Sequence, residues 1–180
     1  MPTYLLLGLL ICVLAAAFDL TRGTIPNALT VPLLVIALPL QVFGALASGE
    51  ALRGALLHGA AALLGIAVCA LVPLVMWRKQ ALGGGDLKLF AGLGGLLSWR
   101  IGVELEWTVL LLAALAVPAR WAYQGRLLRT FGSMFQSAFA LARPRARRVP
   151  LDQAVLGSVR LGPCFALAAC VELLLHWRSL

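Results

Sequence analysis

The sequence predicts an all-α integral membrane protein, a bundle of about six transmembrane helices with an additional amphipathic helix at the cytoplasmic interface. Two features of the composition indicate this fold class: 62% of the 180 residues are hydrophobic, and only 12% are charged. An ordinary soluble domain carries roughly 25% charged residues, so a soluble globular domain, a disordered tail and a disulfide scaffold are excluded. A third observation is that the apolar residues fall into six runs suited to membrane helices.

The six apolar runs define the predicted spans, which together form one transmembrane domain over residues 1–180. The first run lacks the basic residues that precede the apolar core of a signal peptide, because the first Lys or Arg is Arg22. We therefore expect it to be a retained helix. The fourth and sixth runs are short for a membrane crossing. The predicted spans are residues 3–18, 28–47, 55–77, 86–99, 107–123 and 161–177.

The basic residues predict the orientation of the bundle. If the N-terminus lies outside, twelve of the 15 Lys and Arg residues fall in the first, third and fifth connections between spans or at the span ends beside them. Such an excess marks the cytoplasmic side of a membrane protein. We therefore expect both termini outside and these three connections in the cytoplasm.

The longest connection, residues 124–150, predicts an interfacial amphipathic helix followed by a basic stretch. Apolar residues recur there at helical spacing, and Arg143, Arg145, Arg147 and Arg148 follow them. We expect this segment to bind anionic lipid at the inner leaflet. The formal net charge of +8 would indicate nucleic acid in a soluble protein. Because the charge lies between apolar runs, no nucleic-acid partner is expected.

The cysteines predict neither a metal site nor disulfide bonds. All four lie inside apolar runs and none forms a CxxC pair, so we expect them to pack in the protein interior. We expect no metal-binding residues in the chain. The cysteines are Cys12, Cys69, Cys164 and Cys170.

Three acidic residues are predicted to lie at membrane depth, where carboxylates are energetically costly and usually functional. Asp19 ends the first predicted helix, Asp86 opens the fourth, and Glu172 lies within the last. Because two crossings separate Asp19 from Asp86, both return to the cytoplasmic side. Three further acids fall in the outside connections and are expected to be solvated: Glu50, Glu104 and Glu106.

Two carboxylates at one side of the membrane predict acid–base chemistry on water. One can deprotonate a water molecule while the other protonates a carbonyl oxygen, as in the aspartic-protease dyad. A helix N-terminus favours the ionised form of Asp86, and a helix C-terminus favours the neutral form of Asp19. We therefore expect Asp86 to be the general base and Asp19 the acid. This hydrolysis requires no metal ion and no organic cofactor.

The residues beside the two aspartates are predicted to shape the site. Three glycines before Asp86 permit close backbone approach or positive φ, and an unwound helix start would leave room for an extended peptide. Pro26 fixes φ at the entry to the second helix, and Asn27 is expected to cap it. The site-shaping or substrate-binding residues are Gly83, Gly84, Gly85, Lys88, Arg22, Pro26 and Asn27.

Each of these features also has a purely structural interpretation. Arg22 can form an ion pair with Asp19 at a helix end, and Asp86 can serve only as a helix N-cap. Lys88 can extend to the membrane interface instead of acting on the site. The sequence leaves these alternatives open for the individual residues, and the occurrence of two aspartates on one side favours function.

The combination of motifs resembles one known family, the type IV prepilin peptidases, which are GxGD-type aspartyl proteases of the membrane. The resemblance is carried by Asp19 with Arg22 and Ile25-Pro26-Asn27, and by the run from Gly83 to Leu89. A Gly-Pro start of the last helix at residues 162–163 matches more loosely. The resemblance covers essentially the whole chain and implies that Asp19 and Asp86 are the catalytic pair.

This resemblance implies a substrate and a location. The family removes the short basic leader from prepilins at the cytoplasmic face, just before the hydrophobic helix of the pilin. The chain resembles the compact form associated with tight-adherence (Flp-type) pili, in the bacterial inner membrane. Larger members also methylate the new N-terminus and carry a cysteine-bearing domain. Because this chain has no CxxC pair, we expect no methyltransferase activity.

Two alternatives of other functional classes stay open. Glu172, His58 and His176 could relay protons in a small transporter or proton-conducting subunit. Alternatively, Glu172 forms a local pair, either with His176 one helical turn away or with His58 on another helix. The second class is a non-catalytic scaffold of a pilus assembly machine. The sequence does not predict the oligomeric state.

Overall fold

A computed structural model describes residues 2–123 and 161–177, and every regular element in these ranges is an α-helix. The predicted interfacial helix at 124–150 lies outside the described residues. In chain order the helices are α1 (Pro2–Arg22), α2 (Asn27–Ala47), α3 (Leu52–Arg78), α4 (Gly84–Tyr123) and α5 (Gly162–Trp177). The all-α prediction is therefore confirmed for the described part of the chain.

The described ranges contain five helices, not the six that the apolar runs predicted. The fourth and fifth runs both lie in α4, which consists of two helical segments joined at a kink, Ser98, with φ 69° and ψ 161°. The segment 100–106 was expected to be a loop because it is charged, but Arg and Glu are good helix formers. One residue with positive φ redirects the chain here, and the Gln41 amide donates to the Leu96 carbonyl oxygen at 2.6 Å just before it.

Three of the helices are long and apolar enough to cross a membrane by length and composition: Thr3–Arg22, Asn27–Ala47 and Leu52–Arg78. A shorter apolar helix covers Gly162–His176. Large apolar side chains such as Leu56, Leu63 and Leu71 are exposed, as expected for surfaces that face lipid. These helices support the prediction of a membrane protein.

The chain divides into two compact units, Met1–Leu110 with Arg160–Leu180, and Leu111–Val159. The described part of the second unit is the C-terminal end of α4. In the first unit α1 packs along α5, and α2 packs along α3. Both aspartates of the candidate site belong to the first unit.

Small residues allow α3 and α4 to approach closely in the first unit. A Cβ atom on Gly65 would overlap the carbonyl oxygen of Gly94, so this contact requires glycine. Cys69 is fully buried beside Gly94 and Gly102. Such contacts are typical of helices packed in membranes, where no hydrophobic effect drives them together. All four cysteines are free thiols, and only Cys170 is exposed.

Candidate active site

Asp19 lies in the last turn of α1, which continues to Arg22, beyond the predicted end of the helix at Asp19. Its side chain is buried, and its Oδ2 atom accepts a hydrogen bond of 2.8 Å from the backbone N–H of Gly162. Gly162 is the first residue of α5, where backbone N–H groups have no partner within the helix. The start of α5 therefore supplies a donor, and a favourable helix dipole, to the Asp19 carboxylate.

Gly162 has to be glycine for this contact to form. A Cβ atom at this position would lie 2.6 Å from the Cβ of Asp19 and 2.9 Å from the Cα of Ala16. These distances are shorter than van der Waals contact, and the nearest atoms belong to rigid parts of α1. The sequence marks Gly162 only as part of a loose motif. It does not predict this contact with Asp19, because the two residues are 143 positions apart.

Asp86 lies in the first turn of α4, two residues after the helix begins at Gly84. It is half-buried, and its carboxylate forms a backbone hydrogen bond with Gly83. This arrangement is one half of a capping box, in which an acidic side chain at the third helical position reaches back to the N-cap residue. Asp86 thus stabilises the start of α4 from the third position of the helix. It is not the N-cap residue.

Contacts among three helices bring Asp19 and Asp86 to the same end of the first unit. Phe90 of α4 packs on Phe165 of α5 with 4.5 Å between ring centroids, and α5 in turn contacts Asp19 through Gly162. The two carboxylates are close enough for their charges to interact. The helix dipoles do not assign the acid and the base, however, because Asp19 faces the start of α5 as well as the end of α1.

The glycine run acts through close packing rather than an unwound helix start. Gly84 and Gly85 are helical, and none of the three glycines has a positive φ. A Cβ atom on Gly85 would lie 2.9 Å from the carbonyl oxygen of Ile25. This contact places the start of α4 against the Ile25-Pro26-Asn27 segment, and it corrects the expectation of an unwound helix start.

Lys88 and Asn27 form a link that the sequence did not predict. The Lys88 ammonium donates to the Asn27 side-chain oxygen at 2.8 Å. Asn27 was expected to cap α2, but Pro26 with φ −71° occupies the N-cap position and no side chain caps the helix. The Asn27 side chain instead accepts a hydrogen bond from Lys88. Lys88 therefore links α4 to α2 and does not extend to the membrane interface as expected.

Arg22 does not neutralise Asp19. Its guanidinium group lies 5.3 Å from the ring centroid of Phe18 on the exposed side of α1. Between residues 2 and 123 and between 161 and 177, the observed ion pairs all involve histidine. The buried carboxylate of Asp19 therefore has a backbone donor, Gly162, and Arg22 is not its partner.

The acids outside the site differ from expectation in one case. Glu106, expected to be solvated, is 5% exposed, whereas Glu104 is largely exposed. Both lie on the part of α4 that follows Ser98. Residues two positions apart on a helix differ by about 200° around its axis, so these two side chains face opposite sides. Glu50 is exposed as expected and pairs with His58 at 3.2 Å.

Glu172 is buried, 3% exposed, and lies 3.6 Å from His176. This is the pair one helical turn apart that the sequence offered as an alternative to a proton relay. The other alternative, a pair with His58, is not observed because His58 contacts Glu50.

Comparison with known proteins identifies the family. A sequence profile described as the type IV leader peptidase family matches residues 6–140, a range that includes Asp19 and Asp86. The chain is 37% identical over 94 residues to the Prepilin peptidase EppA of Methanothermobacter thermautotrophicus, covering 52% of this chain and 23% of that relative. It is 36% identical over 110 residues to a Prepilin leader peptidase/N-methyltransferase of Burkholderia pseudomallei, covering 61% of this chain and 33% of that relative.

The matched region therefore spans about a quarter to a third of the length of these curated relatives. No solved structure matches the chain. The profile match extends over more than half of the sequence and agrees with the resemblance carried by the two aspartate motifs. The chain belongs to the type IV leader peptidase family.

Proposed function

We propose that this chain is a membrane aspartyl endopeptidase that removes the leader of prepilin-like proteins, with Asp19 and Asp86 as its catalytic residues. The proposal is supported by the positions of Asp19 and Asp86 at one end of the first unit, where the charge of Asp19 acts on Asp86. Like charges at short range favour a state in which one proton is divided between them. Family membership supports peptidase activity, and the pair supplies the chemistry.

The proposed reaction needs one ionised and one protonated carboxyl group. The ionised group takes a proton from water, and the hydroxide equivalent attacks the carbonyl carbon of the scissile peptide bond. The protonated group gives its proton to the carbonyl oxygen, which produces a tetrahedral intermediate. On its collapse the C–N bond breaks, and the leaving nitrogen takes the proton that came from water. One hydroxyl of the intermediate returns its proton to the carboxylate that had protonated the carbonyl oxygen, which restores one ionised and one protonated group. No metal ion or organic cofactor takes part in this sequence.

The surrounding residues position the pair. Gly162 holds the Asp19 carboxylate through its N–H group, and Gly83 forms a backbone hydrogen bond with Asp86. The link between Lys88 and Asn27, together with the close packing of Gly85 on Ile25, fixes the start of α4 against the start of α2. The substrate would enter beside Pro26, and Arg22 is exposed at the same end of α1.

The proposed substrate is a short basic leader followed by an apolar helix, of the type found in Flp-type prepilins. The excess of Lys and Arg in three connections supports an active site that faces the cytoplasm, in the inner membrane of a bacterium. The basic segment 124–150 would bind anionic lipid on that side. We also propose that the new N-terminus is not methylated, because the chain has no CxxC pair.

The test is cleavage of a prepilin by the purified chain in detergent or liposomes. We expect a shortened product whose N-terminus, determined by mass spectrometry, begins at the apolar helix and carries no methyl group. Glu50→Gln, which alters an exposed acid paired with His58, is the control variant and should cleave at the wild-type rate. A folded wild-type chain that leaves several prepilins intact would contradict the proposed activity and favour a non-catalytic scaffold.

A further inference from the structure

A second cluster of ionisable residues lies between α4 and α5. Glu104 of α4 and Glu172 and His176 of α5 each offer one ligand atom, and these atoms all lie within 4.8 Å of one another. Glu172 and His176 are one helical turn apart, so they project from the same face of α5. The cluster combines two carboxylates and one imidazole from two helices.

The buried member of the cluster has an unsatisfied oxygen. The side chain of Glu172 is only 4% exposed, and its Oε2 atom has no hydrogen-bond donor among the residues that the structure describes. The Nδ1 atom of His176 lies 3.6 Å away, which is too far for a hydrogen bond. Burial of a carboxylate oxygen without a hydrogen-bond donor is energetically costly, and a cation shared with His176 would offset that cost. This oxygen points to a bound cation as its partner.

The orientation of His176 suits metal binding. Its Nδ1 atom lies 3.1 Å from the backbone carbonyl oxygen of Glu172, so an Nδ1–H group can donate to that carbonyl. Metal-bound histidines commonly fix their tautomer in this way, which leaves Nε2 as the ligand. Nε2 lies 3.5 Å from Oε2 of Glu104. Two ligands each about 2.0–2.1 Å from one tetrahedral ion are separated by about 3.3–3.5 Å.

We propose that Glu104, Glu172 and His176 form a binding site for a divalent transition-metal ion, with Zn²⁺ as the expected occupant. Two carboxylates neutralise the charge of the ion, and an imidazole with carboxylates is a ligand set that Zn²⁺ accepts. The hydroxyl of Thr108 lies 3.0 Å from Oε1 of Glu172 and 2.9 Å from the Glu104 carbonyl oxygen. Thr108 therefore orients the buried ligand from outside the metal sphere.

The proposed ion is structural, because it is far from the aspartate pair. Glu172 follows Gly162, the contact of Asp19, by ten residues on α5, which corresponds to about 15 Å along a helix. An ion at this position would join α4 to the C-terminal part of α5. It would stabilise the packing of these helices and take no part in the hydrolysis.

The test is metal binding by the full chain, purified in detergent, stripped with a chelator and dialysed against Zn²⁺. We expect one Zn²⁺ per chain by elemental mass spectrometry. At Zn²⁺ concentrations about 100-fold above Kd, the midpoint of thermal unfolding should rise by about 5–10 °C. Glu104→Gln and His176→Gln should each weaken binding at least about 10-fold. Glu104 is largely exposed, so its variant tests the site without disturbing a buried group.

His58→Gln is the matched control, because it removes a histidine from the other Glu–His pair. This variant should keep the bound ion and the thermal shift. Absence of stoichiometric Zn²⁺ from the wild-type chain would overturn the proposal. Retention of Zn²⁺ by the Glu104→Gln, His176→Gln double variant would overturn it as well, since the ion would then be bound elsewhere. Leader cleavage is not the readout, so the result is independent of the proposed peptidase activity.

Discussion

Asp19→Asn and Asp86→Asn should each lower the rate of leader cleavage at least about 1,000-fold, because a catalytic pair acts as a unit. An asparagine cannot take a proton from water, and it cannot give one to the carbonyl oxygen. Asparagine keeps a side-chain oxygen that can accept the hydrogen bond from Gly162, which Asp19 accepts at 2.8 Å. The Asn variant at position 19 should therefore fold, and the loss can be assigned to chemistry. The measurement is the initial rate of prepilin shortening.

The control for this prediction is Glu50→Gln, which removes a carboxylate of the exposed Glu50–His58 pair. Its cleavage rate should equal that of the wild-type chain. Thermal unfolding in detergent should show similar midpoints for all three variants. A folded Asp19→Asn or Asp86→Asn variant that cleaves near the wild-type rate would exclude that residue from the catalytic pair.

Gly162→Ala should lower the cleavage rate by about 100-fold, because it separates α5 from Asp19. The added methyl group would lie 2.6 Å from the Cβ of Asp19 and 2.9 Å from the Cα of Ala16. To relieve this overlap the helices must move apart, which weakens the hydrogen bond from Gly162 to Asp19. Displacement of a catalytic group by about 1 Å can reduce the rate 100-fold. Overpacking should also lower the free energy of unfolding by about 1–3 kcal/mol.

Gly8→Ala is the matched control for this substitution. Gly8 also lies on α1, and a Cβ atom there would contact only the flexible side chain of Leu97, at 3.4 Å. Its rate and stability should stay close to those of the wild-type chain. Wild-type rates for Gly162→Ala would mean that the contact between α5 and Asp19 does not position the carboxylate.

The features that sequence could predict depend on local composition. A membrane helix appears in the sequence as an apolar run. The predicted spans therefore match α1, α2, α3 and α5 and differ from them only in the residues at which each helix begins or ends. Asp19 and Asp86 are predicted as site residues because acidic residues at membrane depth are rare and each lies beside a distinctive motif. The number of crossings between them predicts that they lie at the same end, and the effect of the Asp19 charge on Asp86 agrees with this prediction.

The remaining features depend on contacts between residues far apart in the chain. Asn27 looks like a helix cap in its local sequence, but its partner is Lys88, 61 positions later. Glu106 looks like a loop residue, and it is buried because α4 stays helical through a charged segment. The role of Gly162 depends on its distance from α1 and not on any property of its neighbours. Contacts between residues so far apart in the chain cannot be predicted from hydrophobic periodicity or composition.

The pH dependence of kcat/KM for leader cleavage tests the shared proton most directly. We expect a bell-shaped profile in the wild-type chain and in Glu50→Gln. The rate should fall at low pH, because both carboxyl groups are then protonated and no base remains. It should fall at high pH, because both are then ionised and no acid remains. A rate that rises with pH and then stays level while the chain remains folded would contradict a two-aspartate mechanism.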